Sequence, residues 1–169
     1  MAKRMKPAIS APVPLESGHK LTRFSCGEPS LDEWLRKQAL KNEIAGASRT
    51  YVVCCGDEVA GYYSLAVGSI EHALVPGKIR RNMPRAIPVM VLARLAVDLR
   101  YKGQCIGQGM VKDALFRTLQ AADIAGIRAL LVHALNEKAA SFYLKIGFVP
   151  SPFNPLVLFL PLDTLRVHT

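Results

Sequence analysis

The stretch Leu92–Gly109, LARLAVDLRYKGQCIGQG, constrains this chain more than any other part of its sequence. It starts as an apolar run typical of a buried strand, passes through a basic loop that contains Gly103 and Gly107, and opens into a helical pattern. Glycines let a backbone come close to a ligand, and the first N–H groups of a helix have no partner within the helix. This order of strand, loop and helix start predicts a site for an anion such as phosphate or pyrophosphate.

The loop fits neither of two common nucleotide-binding patterns. No Lys-Ser or Lys-Thr pair follows its last glycine, as the GxxxxGK[ST] loop for triphosphates requires, and its glycines do not follow GxGxxG. The loop therefore lacks the residues that a nucleoside-triphosphate site or a dinucleotide site of these types requires. From spacing alone, an anion site and a plain turn stay open.

Basic residues are concentrated just before and within this stretch. The chain carries 22 lysines and arginines against 13 acidic residues, a formal net charge of +9. Between Pro76 and Lys102 the one acidic residue is Asp98, and the basic residues are Lys78, Arg80, Arg81, Arg85, Arg94, Arg100 and Lys102. A solvated surface usually mixes both signs, so this run favours a polyanionic partner.

Length and composition predict a single globular domain over residues 1–169. No apolar run approaches the ~20 residues of a membrane span, and the basic start MAKRMKP lacks the apolar core of a secretory signal. We therefore expect a cytoplasmic location. Residues 1–9 are interpreted either as a disordered basic arm or as an extension upstream of Met5. The four cysteines and four histidines show no metal-ligand spacing, so reduced cysteines and no metal site are expected.

Hydrophobic periodicity predicts strands that alternate with helices, hence an α/β protein. A helix is expected to begin at Ser30, where Ser30 and Glu33 have the spacing of a capping box, and to end near Gly46. The proline-rich segment 71–88 is expected to be irregular and mobile. The other predicted elements are a short strand at 18–25, a hairpin of strands at 50–55 and 59–70, strands at 89–97, 128–135 and 156–160, and helices at 107–125 and 137–146.

The glycine loop resembles the acetyl-CoA loop of the GNAT N-acetyltransferases, which has the pattern Q/R-x-x-G-x-G/A after a strand. Lys102 takes the Q/R position, Cys105 the first motif glycine and Gly107 the second. Downstream, VHALNEKAASFYLKIGFVP resembles the second signature of the family, which is a strand, an asparagine and a helix with a tyrosine before a Gly-Phe turn. Both signatures stand in the order of the family, and the predicted elements fit its fold.

The chain is more similar still to one branch, the tRNA-acetylating toxins of type II toxin–antitoxin pairs (TacT/AtaT-like). The segments that carry this likeness are GASRTYVVCC, AGYYSLAVGSIE, GKIRRNMPRAIPV, VLARLAVD and FYLKIGFVPSP. The resemblance implies an α/β GNAT fold, with a central mixed, strongly twisted β-sheet that is splayed at the acetyl-CoA strand and flanked by helices on both faces.

The same resemblance implies a function. The chain is expected to transfer acetyl from acetyl-CoA to the α-amine of a charged tRNA, the aminoacyl-tRNA, and so to block translation. The expected partners are an antitoxin of the ribbon-helix-helix type and a second copy of the chain in a homodimer. Contact with DNA is expected only through the antitoxin, and contact with a membrane is not expected.

The resemblance also assigns roles to individual residues. Tyr143 is expected to act as the general acid that protonates the departing CoA thiolate, because a phenol with a pKa of ~10 is protonated at neutral pH. The residues expected to bind acetyl-CoA are Leu95, Ala96, Val97, Lys102, Gly103, Gln104, Cys105, Ile106, Gly107, Gln108, Asn136 and Ser141. The residues expected to bind tRNA are Arg36, Lys37, Lys41, Lys78, Arg80, Arg81, Arg85 and Arg94.

Two features leave alternatives open. No general base stands out, which suits an α-amine because its reference pKa is ~7.7–8.0 against ~10.4 for lysine. Cys105 replaces a motif glycine, so its side chain is expected to crowd the pyrophosphate or to forbid a positive φ. The hypotheses are that the affinity for CoA is lowered, or that the thiol can form a mixed disulfide with CoA on oxidation. The alternatives are a GNAT enzyme that acts on protein N-termini or small amines, and a binding module whose CoA site has degenerated.

Overall fold

A computed structural model of the chain describes residues 8–163. The strands are β1 (Val13–Pro14), β2 (Arg49–Cys55), β3 (Glu58–Glu71), β4 (Ala86–Val97), β5 (Ala129–His133), β6 (Val149–Pro150) and β7 (Val157–Pro161). The helices are α1 (Pro29–Lys37), α2 (Ala39–Ala45), α3 (Gly77–Arg80), α4 (Ile106–Ala122) and α5 (Glu137–Ile146), with 3₁₀ turns at His72–Leu74 and Leu99–Tyr101.

The described strands form a mixed sheet in the order β1-β2-β3-β4-β5-β7-β6. Strands β4 and β5 are parallel, whereas β5–β7, β6–β7 and β1–β2 are antiparallel. The predicted mixed α/β sheet is therefore confirmed. Within the described part of the chain, no helix is long and apolar enough to cross a membrane.

The chain divides into two compact units. The first comprises Met1–Ser64 and Arg94–Val111, and the second comprises Leu65–Ala93 and Lys112–Thr169. Of the predicted N-terminal arm, residues 1–7 lie outside the described residues, while Ile9 forms an antiparallel bridge with Cys55.

The first unit is built around α1, α2 and the β2–β3 hairpin. Leu35 and Ala39 of the two helices are completely buried in one apolar cluster with Val52 and Tyr62 of the hairpin. The hairpin prediction is confirmed, and Gly46 ends α2 in the left-handed conformation, with a φ of 74°, as a C-terminal glycine commonly does.

Two local predictions in this unit are wrong. The helix α1 begins at Pro29 with Glu28 at the N-cap position, and no side chain caps it, so the expected Ser30–Glu33 capping box is not formed. Proline suits the first helical position because the N–H that it lacks would have no intrahelical acceptor. Within residues 18–25, turns replace the expected strand, and Lys20 makes an isolated bridge with Glu58.

The second unit packs α3 against the parallel part of the sheet. Val89 to Leu92 of β4 pair with Ala129 to Val132 of β5, and β7 continues the ladder on the other edge of β5. Completely buried side chains of Val75, Ile79 and Phe159 fill one cluster. β-branched and aromatic residues suit such strands because their side chains pack well on a pleated, buried surface.

The expectation of an irregular segment over residues 71–88 is wrong in part. This segment contains the His72–Leu74 turn and α3, and Ala86 already belongs to β4. The Oγ of Ser151 donates a 2.7 Å hydrogen bond to the carbonyl of Leu74, and Arg128 Nε donates to the carbonyl of Ile79. Prolines interrupt the chain here, but the buried side chains of Val75 and Ile79 hold the segment against the core.

Ile79→Ala tests this anchoring. We expect the free energy of unfolding to fall by about 2 to 5 kcal/mol, because the substitution leaves a cavity in a close-packed cluster. Ile124→Ala is the matched control, since Ile124 is 92% exposed, and it should cause no measurable change. Urea unfolding curves for both variants make the comparison. Equal stability of the two variants would contradict the anchoring.

Candidate active site

The first unit carries the end of β4, where the acetyl-CoA strand was predicted. The ladder between β4 and β5 ends at the pair Leu92 and Val132, whereas β4 itself continues to Val97. The backbone of residues 93–97, including the predicted Leu95, Ala96 and Val97, therefore lies beyond this parallel ladder. A strand end of this kind offers backbone N–H and C=O groups to an extended ligand.

Gly61 of β3 allows the start of α4 to approach this strand end closely. A Cβ at this position would lie 3.2 Å from the carbonyl oxygen of Ala96, 3.2 Å from Cε of Met110 and 3.1 Å from Cγ2 of Val53. These distances are tighter than an ordinary van der Waals contact. A side chain at position 61 would therefore crowd the backbone of β4 at Ala96 and the Met110 side chain at the start of α4.

A buried carboxylate holds the loop between β4 and α4. The side chain of Asp98 is 1% exposed and accepts hydrogen bonds from the backbone N–H groups of Arg100, at 2.9 Å, and Ser25, at 3.1 Å. The guanidinium of Arg100 donates to both carboxylate oxygens, at 3.0 and 3.2 Å, and also reaches Glu58. Burial by itself would raise the pKa of Asp98, but the hydrogen bonds from Arg100 and Ser25 outweigh it and hold the pKa below its usual range.

The loop itself exposes polar side chains and anchors one apolar side chain. Lys102, Gln104 and Gln108 are exposed, while Ile106 is buried. The first helical hydrogen bond runs from the N–H of Gly109 to the carbonyl of Cys105, at 3.1 Å. The amides of residues 106–108 precede this bond, so they are the groups that a helix start presents to an anion.

Cys105 takes the conformation that the family motif reserves for glycine. Its φ is +60°, and that of Gly103 is +84°. The expectation that a cysteine would forbid a positive φ here is wrong. A side chain in this region costs about 1 to 2 kcal/mol in backbone strain, which the surrounding loop must hold. The Cys105 side chain is exposed, so the expected crowding of a pyrophosphate remains a prediction.

The second unit carries the predicted acid on α5. Tyr143 is 6% exposed and has edge-to-face contacts with Phe142 and Phe148, with ring centroids 5.0 and 5.3 Å apart. Burial raises the pKa of its phenol above the ordinary value of 10. The hydroxyl is therefore protonated across the physiological range and can donate a proton to a stronger base.

Asn136 has a structural task at the start of α5. Its side-chain oxygen accepts a 2.9 Å hydrogen bond from the N–H of Ala139 and so caps the helix, as the sequence also allows. Ser141 is exposed on the same helix. Contact of Asn136 and Ser141 with acetyl-CoA stays a prediction.

The basic residues expected to bind tRNA are divided between the two units. Arg36, Lys37, Lys41 and Arg94 belong to the first unit, and Arg80, Arg81 and Arg85 are exposed in the second. The side chain of Lys78 lies outside what the structure describes. Some of the charges are already engaged, because Lys37 pairs with Glu33 and Arg36 donates a 2.7 Å hydrogen bond to the carbonyl of Phe24.

Sequence reasoning missed two features of the first unit. Asp98 was visible as the single acid in a basic run, but its role depends on Ser25, which is 73 residues away in the chain. Trp34 is half-buried and lies under the guanidinium of Arg94, which is 60 residues away in the chain, so no local pattern indicates the contact. Across residues 8–163, no group of His, Cys, Asp and Glu side chains is arranged to hold a metal ion.

A family model for the acetyltransferase (GNAT) domain matches residues 46–150. The chain belongs to the GNAT acetyltransferase family. This GNAT chain is also 48% identical, over 93% of its own length and 95% of the relative, to a tRNA-acetylating toxin from Mycobacterium tuberculosis. The fold and the predicted enzyme class are thereby confirmed.

Solved structures of the AtaT toxin share this fold. One, of AtaT complexed with acetyl-methionyl-tRNAfMet, has a TM-score of 0.88 and 31% identity, and the match covers 95% of this chain and 99% of AtaT. Another is a tyrosine-to-phenylalanine mutant of AtaT bound to the C-terminus of the antitoxin AtaR and to acetyl-CoA. It has a TM-score of 0.81 and 30% identity, and the match covers 95% and 97% of the two chains. The chain is thus homologous to tRNA-acetylating toxins.

Asp98→Asn tests the carboxylate that holds the loop. We expect a loss of about 2 to 3 kcal/mol of stability at pH 7, because the four hydrogen bonds to this carboxylate lose the charge of their acceptor. A folded pKa below the unfolded value of ~3.9 means that this stability is present above that value and is lost as the pH falls through the folded pKa. The variant should therefore lack part of the acid-side slope in a plot of unfolding free energy against pH. Glu33→Gln is the control, since it breaks an exposed pair with Lys37 that also lowers the pKa of Glu33. It should remove much less of this slope, because solvent screens an exposed pair.

Cys105→Gly and Cys105→Ala separate backbone strain from side-chain crowding. Glycine should raise the stability by about 1 kcal/mol while alanine leaves it unchanged, because only glycine removes the Cβ at a φ of +60°. If the thiol crowds the pyrophosphate, both variants should bind acetyl-CoA more tightly than the wild type in calorimetry under reducing conditions. Equal affinities of all three proteins for acetyl-CoA would contradict the prediction that the thiol crowds the pyrophosphate.

Proposed function

We propose that this chain is the toxin of a type II toxin–antitoxin pair and transfers acetyl from acetyl-CoA to the α-amine of aminoacyl-tRNA. The observation that carries the proposal is its 48% identity, over nearly its whole length, to a tRNA-acetylating toxin. The exposed loop at the start of α4 and the buried phenol on α5 supply the residue types that this chemistry needs. We also propose that residues 1–169 act as one acetyltransferase domain.

The first unit has features that fit acetyl-CoA. The loop places backbone in two left-handed conformations, at Gly103 and Cys105, just ahead of the unpaired amides of residues 106–108. These amides would hold the pyrophosphate, and Lys102 would add a positive charge. The backbone of Leu95 and Val97 would pair with the pantetheine arm. When bound, acetyl-CoA supplies an acyl group already activated as a thioester.

Tyr143 would hold the proton that the departing thiolate takes up. Its apolar surroundings keep the phenol neutral, and a neutral phenol is the form that donates a proton. The proton of the Tyr143 hydroxyl would pass to the sulfur as the bond between the acetyl carbon and sulfur breaks. The phenolate that remains is a strong base and would regain the proton that the attacking amine releases to water. Asn136 and Ser141 would contact the arm near the thioester.

The acceptor amine needs little help from a general base. A reference α-amine has a pKa of ~7.7–8.0, so a usable fraction is neutral at physiological pH, whereas a lysine side chain at ~10.4 is almost wholly protonated. The attacking amine loses its proton to water after the bond forms, and a backbone carbonyl can accept a hydrogen bond from the amine meanwhile. This chemistry favours the aminoacyl end of a charged tRNA over lysine side chains.

The remaining basic side chains would bind the tRNA backbone. Phosphate contacts by lysine and arginine release counterions, so the binding should weaken steeply as salt rises. The eight residues proposed for this task are Arg36, Lys37, Lys41, Lys78, Arg80, Arg81, Arg85 and Arg94. We further propose a homodimer in the cytoplasm, neutralised by a ribbon-helix-helix antitoxin through which alone it would reach DNA.

Tyr143→Phe tests the chemistry with the smallest possible change. Purified protein is incubated with acetyl-CoA and total charged tRNA, and the aminoacyl ends are analysed by mass spectrometry. We expect acetylated aminoacyl ends from the wild type and a rate lower by about 10² to 10⁴-fold from the variant, because one proton donor is lost. Acetyl-CoA affinity should be unchanged, and growth arrest on expression should disappear.

Tyr63→Phe is the matched control, since it removes the hydroxyl of another completely buried tyrosine. It should retain the rate of the wild type. Absence of any acetylated species with the wild type would overturn the proposed substrate. Growth arrest that survives Tyr143→Phe would instead favour a binding module over an enzyme, and acetylation of protein N-termini but not tRNA would favour the other class of acceptor.

A further inference from the structure

A stack of three side chains in the first unit reaches from the core to the surface. Tyr62 is completely buried, and Trp34 and Arg94 are both half-buried. The rings of Tyr62 and Trp34 are nearly parallel, at 11°, with centroids 6.0 Å apart. The guanidinium carbon of Arg94 lies 4.0 Å from the centroid of the Trp34 ring. This distance is well within the range of a cation–π contact.

The base of the stack is fixed from two directions. The hydroxyl of Tyr62 donates a 2.7 Å hydrogen bond to the carbonyl of Leu31, and Phe24 packs edge-on against the Tyr62 ring at 5.6 Å. Leu31 and Trp34 belong to the same helix, so the tyrosine ties α1 to β3. Trp34 therefore presents its indole to Arg94 from a rigid support.

Arg94 differs from the other described arginines of its unit. Arg23, Arg49 and Arg100 each pair with a carboxylate, and Arg36 donates to a backbone carbonyl. Within residues 8–163, Arg94 has no such partner, and its contact is the indole. A half-buried guanidinium without an anion has lost part of its hydration and has gained no ion pair in return.

Among the described residues, no hydrogen bond or ion pair takes up the N–H donors of the Arg94 guanidinium. The N–H donors of a guanidinium lie in its plane, where two of them match two oxygens of one phosphate group. An arginine that is already ordered loses less conformational entropy when an anion binds. The stack therefore preorganises the Arg94 guanidinium to bind two oxygens of one phosphate group.

We propose that Trp34 is a positioning residue that holds Arg94 for a bidentate contact with one phosphate of the tRNA substrate. This inference rests on the proposed function, which names Arg94 among eight basic residues without distinguishing it from the others. It deepens that function in two ways. It singles out one arginine as preorganised, and it gives an uncharged aromatic residue on α1 a part in binding a polyanion.

Uncharged tRNA and a KCl series provide the binding test. Arg94→Met should weaken tRNA binding about tenfold and reduce the slope of log affinity against log salt by about 0.7 to 0.9, the value of one phosphate contact. Trp34→Leu should reproduce most of both effects although it removes no charge. Trp34→Phe, which keeps an aromatic face, should restore the binding to within about threefold of the wild type.

The double variant Trp34→Leu/Arg94→Met tests the coupling between the two residues. If Trp34 acts through Arg94, the double variant should bind no more weakly than Arg94→Met alone, because the two changes remove the same contact. Arg49→Met is the matched control. It removes an exposed arginine of the same unit that pairs with Glu43, and the salt slope should stay at the wild-type value.

A purely structural role for Trp34 would give a different pattern. Trp34→Leu would then lower the melting temperature and acetyl-CoA affinity while the salt slope stayed unchanged, and that result would overturn the inference. Independent, additive effects of the two substitutions would overturn it as well. If Arg94→Met instead impaired binding of an acidic protein partner and left the tRNA slope intact, the phosphate assignment would be wrong. Failure of the wild type to bind or acetylate charged tRNA would overturn the proposed function itself, which is a separate outcome.

Discussion

The buried carboxylate of Asp98 is the interaction on which the candidate cofactor loop depends. It accepts hydrogen bonds from two backbone amides and one guanidinium, and so ties the end of β4 to the segment before α1 and to the first turn of the loop. An ionised carboxylate with almost no exposure is tolerated only because several donors replace the water that it has lost. Asp98 therefore fixes the start of the loop. Gly103 and Cys105, which have positive φ values, come a few residues later.

Two arginines of the first unit lie in contrasting environments. Arg100 has a structural role, because Asp98 and Glu58 neutralise its charge just after the end of β4. Arg94, which lies within β4, contacts the ring of Trp34, and this contact orders its guanidinium without neutralising it. A guanidinium held by a π face keeps its charge available, whereas one held by a carboxylate does not. The basic composition alone does not distinguish these two arrangements.

Much of the fold and part of the site followed from local patterns. The hairpin, the strand that ends at Val97 and the helix that bears Tyr143 all depend on residues a few positions apart, and all were predicted correctly. The wrong predictions arose where two features of the same segment favoured different structures. Pro29 at the first helical position displaced the expected capping box, and buried Val75 and Ile79 ordered a segment whose prolines indicated irregular structure.

The sequence by itself determined the family, the order of elements, the glycine loop and the tyrosine that would serve as the acid, because each is encoded in contiguous motifs. Only the tertiary structure decided that Cys105 adopts a φ of +60°, that Asp98 is a buried anchor and that Trp34 supports Arg94. Periodicity reports which face of an element is apolar, but it carries no information on which distant side chain meets a given charge. Partners such as Ser25 for Asp98 are brought together by the packing of α1 and the sheet.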